Sequence, residues 1–183
     1  MLFRITSAAL QGIDAYRVEV EVDVSLGLPN FITVGLPDAS VRESKERVKA
    51  ALKNCGWDLP PSKVTINLAP ADRRKEGSSF DLPICLGLLA SMGVFPPGRL
   101  KDYLFLGEIA LDGRLKAIRG VLSSAMLAKA TGCAGIVIPK SNEKEAALVG
   151  GLLVFGLGDL GEVTNFLNDP AVFRFAERVP KRH

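Results

Sequence analysis

The stretch RVEVEVDV, Arg17–Val24, places a valine at every second position and a charged residue between each pair of valines. Successive side chains of a strand point to opposite faces, so this pattern predicts a strand with one buried and one wet face. Turn signals lie on either side, at residues 12–14 and 28–30, and extend the prediction to strands over Phe3–Leu10 and Phe31–Val34. Three consecutive strands predict a meander.

After these strands the pattern changes to helices that alternate with short strands. A helix is predicted over Asp38–Cys55, where Ser40 and Glu43 have capping-box spacing, and a buried helix over Leu82–Met92, where Asp81 is a candidate cap. The other predicted elements are a strand at Val64–Ala69, a hairpin of Tyr103–Ala110 with Arg114–Ile118, helices at Val121–Thr131, Asn142–Val149 and Asp159–Leu167, and strands at Gly135–Ile138 and Leu152–Phe155. This order predicts an α+β fold, with a mixed sheet and helices mainly on one side.

Bulk properties favour one compact domain in the cytoplasm. The chain has 183 residues, of which 48% are hydrophobic, and a net charge of +3. Its three cysteines form no CxxC pair and are predicted to be reduced, and its one histidine, His183, argues against a His-based triad or metal site. No apolar run reaches the ~20 residues needed to cross a bilayer, so no membrane association is expected.

Nucleotide-binding and metal-binding motifs are missing from the chain. There is no GxxxxGK[ST] loop, no GxGxxG after a predicted strand and no HExxH. We therefore expect no cofactor, no metal and no nucleotide hydrolysis in this chain alone.

Two groups of basic residues are candidate binding surfaces. Arg73, Arg74 and Lys75 lie in a predicted loop and could contact DNA phosphates without reading sequence; the alternative is a solvated or inter-subunit loop. The charged face of the helix predicted over 38–55 is either solvated or a partner surface, with Arg42, Lys45 and Lys49 as candidates.

Three long motifs carry a resemblance to a known family. They are GLPDASVRESKERVKAAL at Gly35–Leu52, NLAPADRRKEGSSFDLPICLGLLA at Asn67–Ala90 and YLFLGEIALDGRLKAIRGVL at Tyr103–Leu122. In this order they closely resemble the ComM/YifB family of magnesium-chelatase-like AAA+ proteins. The resemblance implies a Lon-protease-like domain of the ribosomal protein S5 domain 2-like fold at residues 1–167. Residues 168–183 would be a tail or the start of a linker.

The same resemblance implies a setting for the domain. An AAA+ ATPase module and a chelatase-type domain would follow it, with ATP and Mg bound there, in a hexamer that processes DNA by branch migration during natural transformation. The implied partners of this domain are its own ATPase module, neighbouring subunits and possibly DNA.

Compared with Lon proteases, the nucleophile position is filled and the base position is not. Lys75–Ser79 resembles the loop that carries the Lon serine, which puts Ser79 at the nucleophile position. The run from Gly107 puts Ser124 where the catalytic lysine would be. A serine hydroxyl needs a positioned base, and neither Lys116 nor Lys129 lies at the lysine position. We therefore predict no catalysis and interpret Ser79 as a helix-start residue that satisfies backbone N–H groups. The alternatives are a serine hydrolase with an altered dyad at Ser79 and an adaptor domain of a metal chelatase.

Overall fold

The computed structural model describes residues 1–173 and 175. Helices and strands alternate after an opening β-hairpin, which confirms the α+β class. The strands are β1 (Leu2–Gln11), β2 (Asp14–Leu26), β3 (Asn30–Val34), β4 (Ser62–Ala69), β5 (Tyr103–Phe105), β6 (Glu108–Ile109), β7 (Leu115–Lys116), β8 (Gly135–Pro139) and β9 (Leu153–Leu157). The α-helices are α1 (Ala39–Arg42), α2 (Ser44–Asn54), α3 (Asp81–Ser91), α4 (Val121–Ala130), α5 (Glu143–Ala147) and α6 (Leu160–Asn168), and short 3₁₀ turns lie at Pro97–Lys101, Lys140–Asn142 and Pro170–Val172.

The first sheet is mixed and has the order β1-β2-β4-β3. β2 is antiparallel to both β1 and β4, whereas β3 pairs with β4 in parallel. The predicted meander is therefore wrong at its third strand, because β4 returns between β2 and β3 after the crossover through α1 and α2. Parallel neighbours require such a crossover, and no local pattern in the sequence records it.

The inner face of this sheet carries the main core. The alternation in β2 is confirmed: Val18, Val20 and Val22 are fully buried, and the intervening charged residues are exposed or half-buried. Helix α3 lies on this face with every residue from Asp81 to Ala90 buried. A Cβ on Gly87 would come within 2.4 Å of the Val22 side chain, so the missing side chain lets α3 approach β2 closely.

A second, parallel sheet has the order β5-β8-β9. Helix α4 packs on the face formed by Ile136, Ile138 and Val154. On the other face, Phe155 of β9 contacts Phe166 of α6, with ring centroids 4.6 Å apart. The predicted hairpin turn is confirmed between β6 and β7, but Tyr103–Phe105 belongs to the parallel sheet instead of the hairpin.

Helix starts differ from the predictions in two places. The helix predicted over 38–55 is interrupted at Glu43, and its cap is Asp38, whose Oδ1 accepts a hydrogen bond from the Val41 N–H at 2.8 Å. Asp81 is the first residue of α3 and not its cap. The predicted tail, 168–183, lies largely outside the described residues. Within the described part of the chain, no helix is both long and apolar enough to span a membrane.

Candidate functional site

Ser79 and Ser124 line one cleft, although 45 positions separate them in the chain. The cleft has a volume of about 690 Å³ and lies between β1, the loop before α3, the strand β6 and the first turn of α4. Ser79 is half-buried, and Ser124 is 3% exposed. The two positions that resemble the Lon serine and lysine positions are therefore brought together.

Backbone hydrogen bonds place Ser79 in the cleft wall. The Gly107 N–H donates to the Ser79 carbonyl at 3.0 Å, and the Leu82 N–H donates to the Gly107 carbonyl at 3.0 Å. These two bonds fasten the start of α3 to the segment that leads into β6. The interpretation of Ser79 as a helix cap is wrong, because no side chain caps α3.

Gly120 sets the start of the helix that carries Ser124. It adopts φ +77°, a left-handed conformation that favours glycine, and α4 begins directly after it. A Cβ at Gly120 would lie 2.4 Å from Leu10 Cδ1 on β1. The segment before α4, which lines the cleft, is held in place by Asn142. The Asn142 side chain accepts a hydrogen bond from the Ile118 N–H and donates one to the Ile118 carbonyl, both at 3.0 Å.

Neither candidate lysine lines the cleft, and no lysine or histidine is among its described lining residues. Lys116 is exposed, with its Nζ 3.4 Å from Glu108 Oε2. Lys129 lies in a separate groove with Leu122 and Met126. The nearby Ser78 hydroxyl is the main cause that lowers the pKa of Glu108, and the Lys116 ammonium adds to it. Glu108 is therefore held as a carboxylate.

Asp81, which is fully buried, is the centre of a polar cluster with the partly exposed Arg47 that the sequence interpretation missed. Its carboxylate accepts from Arg47 Nε at 2.7 Å, from Arg47 Nη2 at 3.0 Å, from the Ile109 N–H at 3.1 Å and from the Ser44 hydroxyl. The hydrogen bond with Asp81 raises the pKa of Arg47. The cluster ties α2, α3 and β6 together. An acidic residue at the start of an otherwise apolar run was the signal for it.

Lys75 does not belong to the exposed surface of the predicted DNA-binding loop. It is fully buried, and its Nζ donates to the carbonyls of Pro70 and of Gly35, the latter at 2.9 Å. Its backbone also bridges to the segment before α1, with the Lys75 N–H on the Leu36 carbonyl at 3.0 Å. Burial lowers the pKa of Lys75. Because its ammonium is enclosed by carbonyls, Lys75 cannot reach a phosphate in this conformation.

Arg73 and Arg74 remain on the surface of the same loop. The Arg73 guanidinium lies over the Tyr16 ring at 4.6 Å from its centroid, and Arg74 Nε is 3.6 Å from Glu76. Burial raises the pKa of Tyr16, and the positive charge of Arg73 opposes that rise. These two arginines are the cations that the loop offers to a partner.

The three candidate partner-surface residues also face solvent. Arg42 donates from Nη2 to the Pro37 carbonyl at 3.1 Å, and Lys45 Nζ is 3.6 Å from Glu46. Lys49 Nζ lies 5.7 Å from the centroid of the Phe31 ring, at the margin of a groove distinct from the serine cleft. The described residues contain no cluster of three or more His, Cys, Asp or Glu side chains that could hold a metal ion.

The fold defines a Lon-protease-like α+β domain. Consistent with this class, the chain is 29% identical over 135 residues to Lon protease 2 of Thermus thermophilus, covering 70% of this chain and 16% of that protein.

The chain belongs to the family described as subunit ChlI of Mg-chelatase, whose model matches residues 20–142. It is 44% identical over 146 residues to YifB of Escherichia coli, covering 80% of this chain and 28% of that protein. It is 38% identical over 177 residues to the competence protein ComM of Haemophilus influenzae, covering 97% of this chain and 35% of that protein. The resemblance to the ComM/YifB family is thereby confirmed. The chain spans about a third of the length of these curated relatives.

Proposed function

We propose that this chain is a non-proteolytic domain of a magnesium-chelatase-like AAA+ protein that acts in DNA processing, where it serves assembly or DNA guidance. The observation that carries the proposal is the cleft itself, because Ser79 and Ser124 line it and its described lining includes neither lysine nor histidine. Without a positioned base the Ser79 hydroxyl is a poor nucleophile near neutral pH.

The relatives supply the setting for this domain. They are about three times as long as the matched region, and one of them is called a competence protein. ATP and Mg would bind to an ATPase region outside this chain. That region and neighbouring subunits would be the partners of this domain. In a ring of subunits, several weak Arg73/Arg74 sites would act together on one DNA molecule. Once one site has bound, the DNA is held at a high effective concentration near the other sites.

Fluorescence anisotropy with single-stranded, duplex and forked DNA over a salt series tests the DNA part. We expect binding that weakens as salt rises and is lost in the Arg73→Ala/Arg74→Ala variant. Arg4→Ala/Arg114→Ala removes two other exposed arginines and is the matched control. Absence of binding at low salt, both in the free chain and in the chain fused to a hexameric scaffold, would overturn the DNA role and leave assembly.

Labelling with a fluorophosphonate tests the non-proteolytic part. We expect no modification of the wild-type chain, since no base activates Ser79. Modification that is abolished by Ser79→Ala and retained in Ser78→Ala would show that the chain is a serine hydrolase. The family match also keeps a chelatase adaptor role as a second candidate, and saturable binding of a tetrapyrrole would favour it over the DNA role.

A further inference from the structure

Strand β3 is an edge strand with little of the usual protection. Among the described residues it pairs only with β4, so backbone N–H and C=O groups on its other side lie outside the ladder. One β3 amide, the Phe31 N–H, donates to Asn30 Oδ1 at 3.0 Å, a local contact that an added strand would have to replace or accommodate. Natural edge strands are commonly protected by lysine, proline or a bulge. The sequence of β3, Asn30–Val34, is NFITV and contains neither a charge nor a proline.

The outer face of β3 also exposes apolar side chains. Ile32 and Val34 are each 44% exposed, because their partners across the register, Thr65 and Asn67, lie on the wet face of the sheet. A strand laid beside β3 would cover both side chains as it paired with the backbone.

On the inner side, β3 and α2 border a groove of about 380 Å³. Phe31, Leu52, Trp57 and other apolar side chains line most of it. Lys49 and Lys53 come from α2, one helical turn apart, and are both exposed. Asp58 is the one acidic residue among the described lining residues. The groove therefore combines an apolar floor with an excess of positive charge.

We infer that β3 and this groove bind an extended polypeptide segment that adds to the sheet as a fifth strand. Its backbone would pair with β3, one bulky apolar side chain would enter the groove, and carboxylates on either side would face Lys49 and Lys53. An edge strand beside a helix is the arrangement in which main-chain hydrogen bonds give affinity and side-chain pockets give specificity. The inference uses neither Ser79 nor Arg73 and stands apart from the proposed function.

Charge favours this occupant over a second copy of the chain. Antiparallel pairing of β3 with the β3 of a two-fold-related copy would bring both α2 helices to the same face of a joined sheet. Their lysines would then repel each other across the junction, whereas an acidic peptide would neutralise them. The unpaired peptide groups of β3 likewise match a peptide backbone and not a phosphodiester.

The test uses a fluorescein-labelled nonapeptide of alternating threonine and aspartate with one central leucine. There are two comparison peptides. In the first, every aspartate is replaced by lysine, and in the second, the backbone amides along one edge of the strand are N-methylated. We expect the aspartate peptide to bind at least about tenfold more tightly than either comparison peptide. Its binding should also slow amide hydrogen exchange in β3, which NMR measures residue by residue.

Lys49→Glu/Lys53→Glu is the decisive variant, because a folded groove of reversed charge should prefer the lysine peptide. Lys101→Glu/Lys144→Glu changes two exposed lysines away from β3 and the groove and should keep the original preference. Equal binding of the N-methylated peptide would overturn strand addition. Binding of a fifteen-nucleotide oligothymidylate that displaces the peptide and is lost in the Lys49→Glu/Lys53→Glu variant would assign the groove to nucleic acid. A dimer that Ile32→Lys dissolves, together with absence of peptide binding, would assign it to a second copy.

Discussion

The two ends of the segment Arg73–Asp81 have opposite environments. Arg73 and Arg74 lie on the surface, where one covers an aromatic ring and the other meets a carboxylate. Lys75 and Asp81 are fully buried, and each is enclosed by hydrogen-bond partners from distant parts of the chain. The outer residues are available to a partner, whereas the inner ones hold the loop and α3 in place.

Buried charge is tolerated here because it is satisfied. An unpaired ion in the interior is very costly, and pairing with hydrogen-bond donors or acceptors offsets much of that cost. The carboxylate of Asp81 receives hydrogen bonds from Arg47, Ser44 and the Ile109 N–H, and the ammonium of Lys75 donates to two carbonyls. The contrast between the buried and exposed residues therefore predicts a steep gradient of mutational effects along one short segment.

The largest effect is expected for Asp81→Ala. It would leave the Arg47 guanidinium and the Ile109 N–H without their buried acceptor, and removing one partner of a buried pair costs about 3–5 kcal/mol. The free energy of unfolding from urea denaturation measures the loss. Asp102→Ala, which removes another exposed carboxylate, is the control and should change the midpoint far less. Equal midpoints for the two variants would mean that the Asp81 cluster does not stabilise the fold.

A smaller loss is expected for Lys75→Met, which keeps most of the side-chain volume but leaves the Gly35 and Pro70 carbonyls without a donor. We expect about 1–3 kcal/mol of destabilisation by urea unfolding, because both carbonyls then lose the hydrogen bond from the buried ammonium. Lys63→Met, on the wet face of β4, is the control and should change stability by less than about 0.5 kcal/mol. A Lys75→Met variant as stable as this control would contradict the anchoring role.

The pH dependence of stability gives an independent readout of Lys75. Since the folded-state pKa lies below the ordinary value of 10.5, the unfolded chain binds this proton more tightly. Wild-type stability should therefore rise as pH increases from the folded pKa towards 10.5, and Lys75→Met should lack this contribution. Identical slopes in the two proteins would show that the Lys75 ammonium is not desolvated.

The exposed end of the segment should respond weakly. Arg73→Ala removes the contact with the Tyr16 ring, and cation–π contacts at exposed sites contribute about 0.5–1 kcal/mol. The pKa of Tyr16 should rise further, because the positive charge that favours the phenolate is lost. Ultraviolet titration in a Tyr103→Phe background isolates this phenol. Arg74→Ala is the matched control, and a larger rise there than in Arg73→Ala would contradict the stacked geometry.

The smallest effect is expected at the cleft, from Ser78→Ala. Loss of its hydroxyl should move the pKa of Glu108 back towards the ordinary value of 4.5, because that hydroxyl is the main cause of the lowering. Carboxyl carbon chemical shifts in an NMR titration measure the change. Ser79→Ala should leave the titration of Glu108 as it is, and an equal change in both variants would assign the effect to the loop backbone.

Local patterns in the sequence were enough for most elements but not for their pairing. The valine alternation placed β2 correctly, and the apolar run after Asp81 placed α3. The position of β4 between β2 and β3 depends on a crossover, which leaves no periodic signal. Family resemblance singled out Ser79 and Ser124 separately, and the structure places both in the lining of one cleft. The environment of Lys75 could not be predicted, because a run of three cations looks uniform until the loop folds around one of them.

Gly120 has a consequence for how the family can vary. Its missing side chain leaves the space that Leu10 fills, so α4 starts directly against the edge of β1. A side chain at Gly120 would require either the partly exposed Leu10 side chain to move away or α4 to shift, and in the second case Ser124 would move with the helix. Relatives that carry a side chain at this position should therefore have either a rearranged residue at the position of Leu10 or a wider cleft.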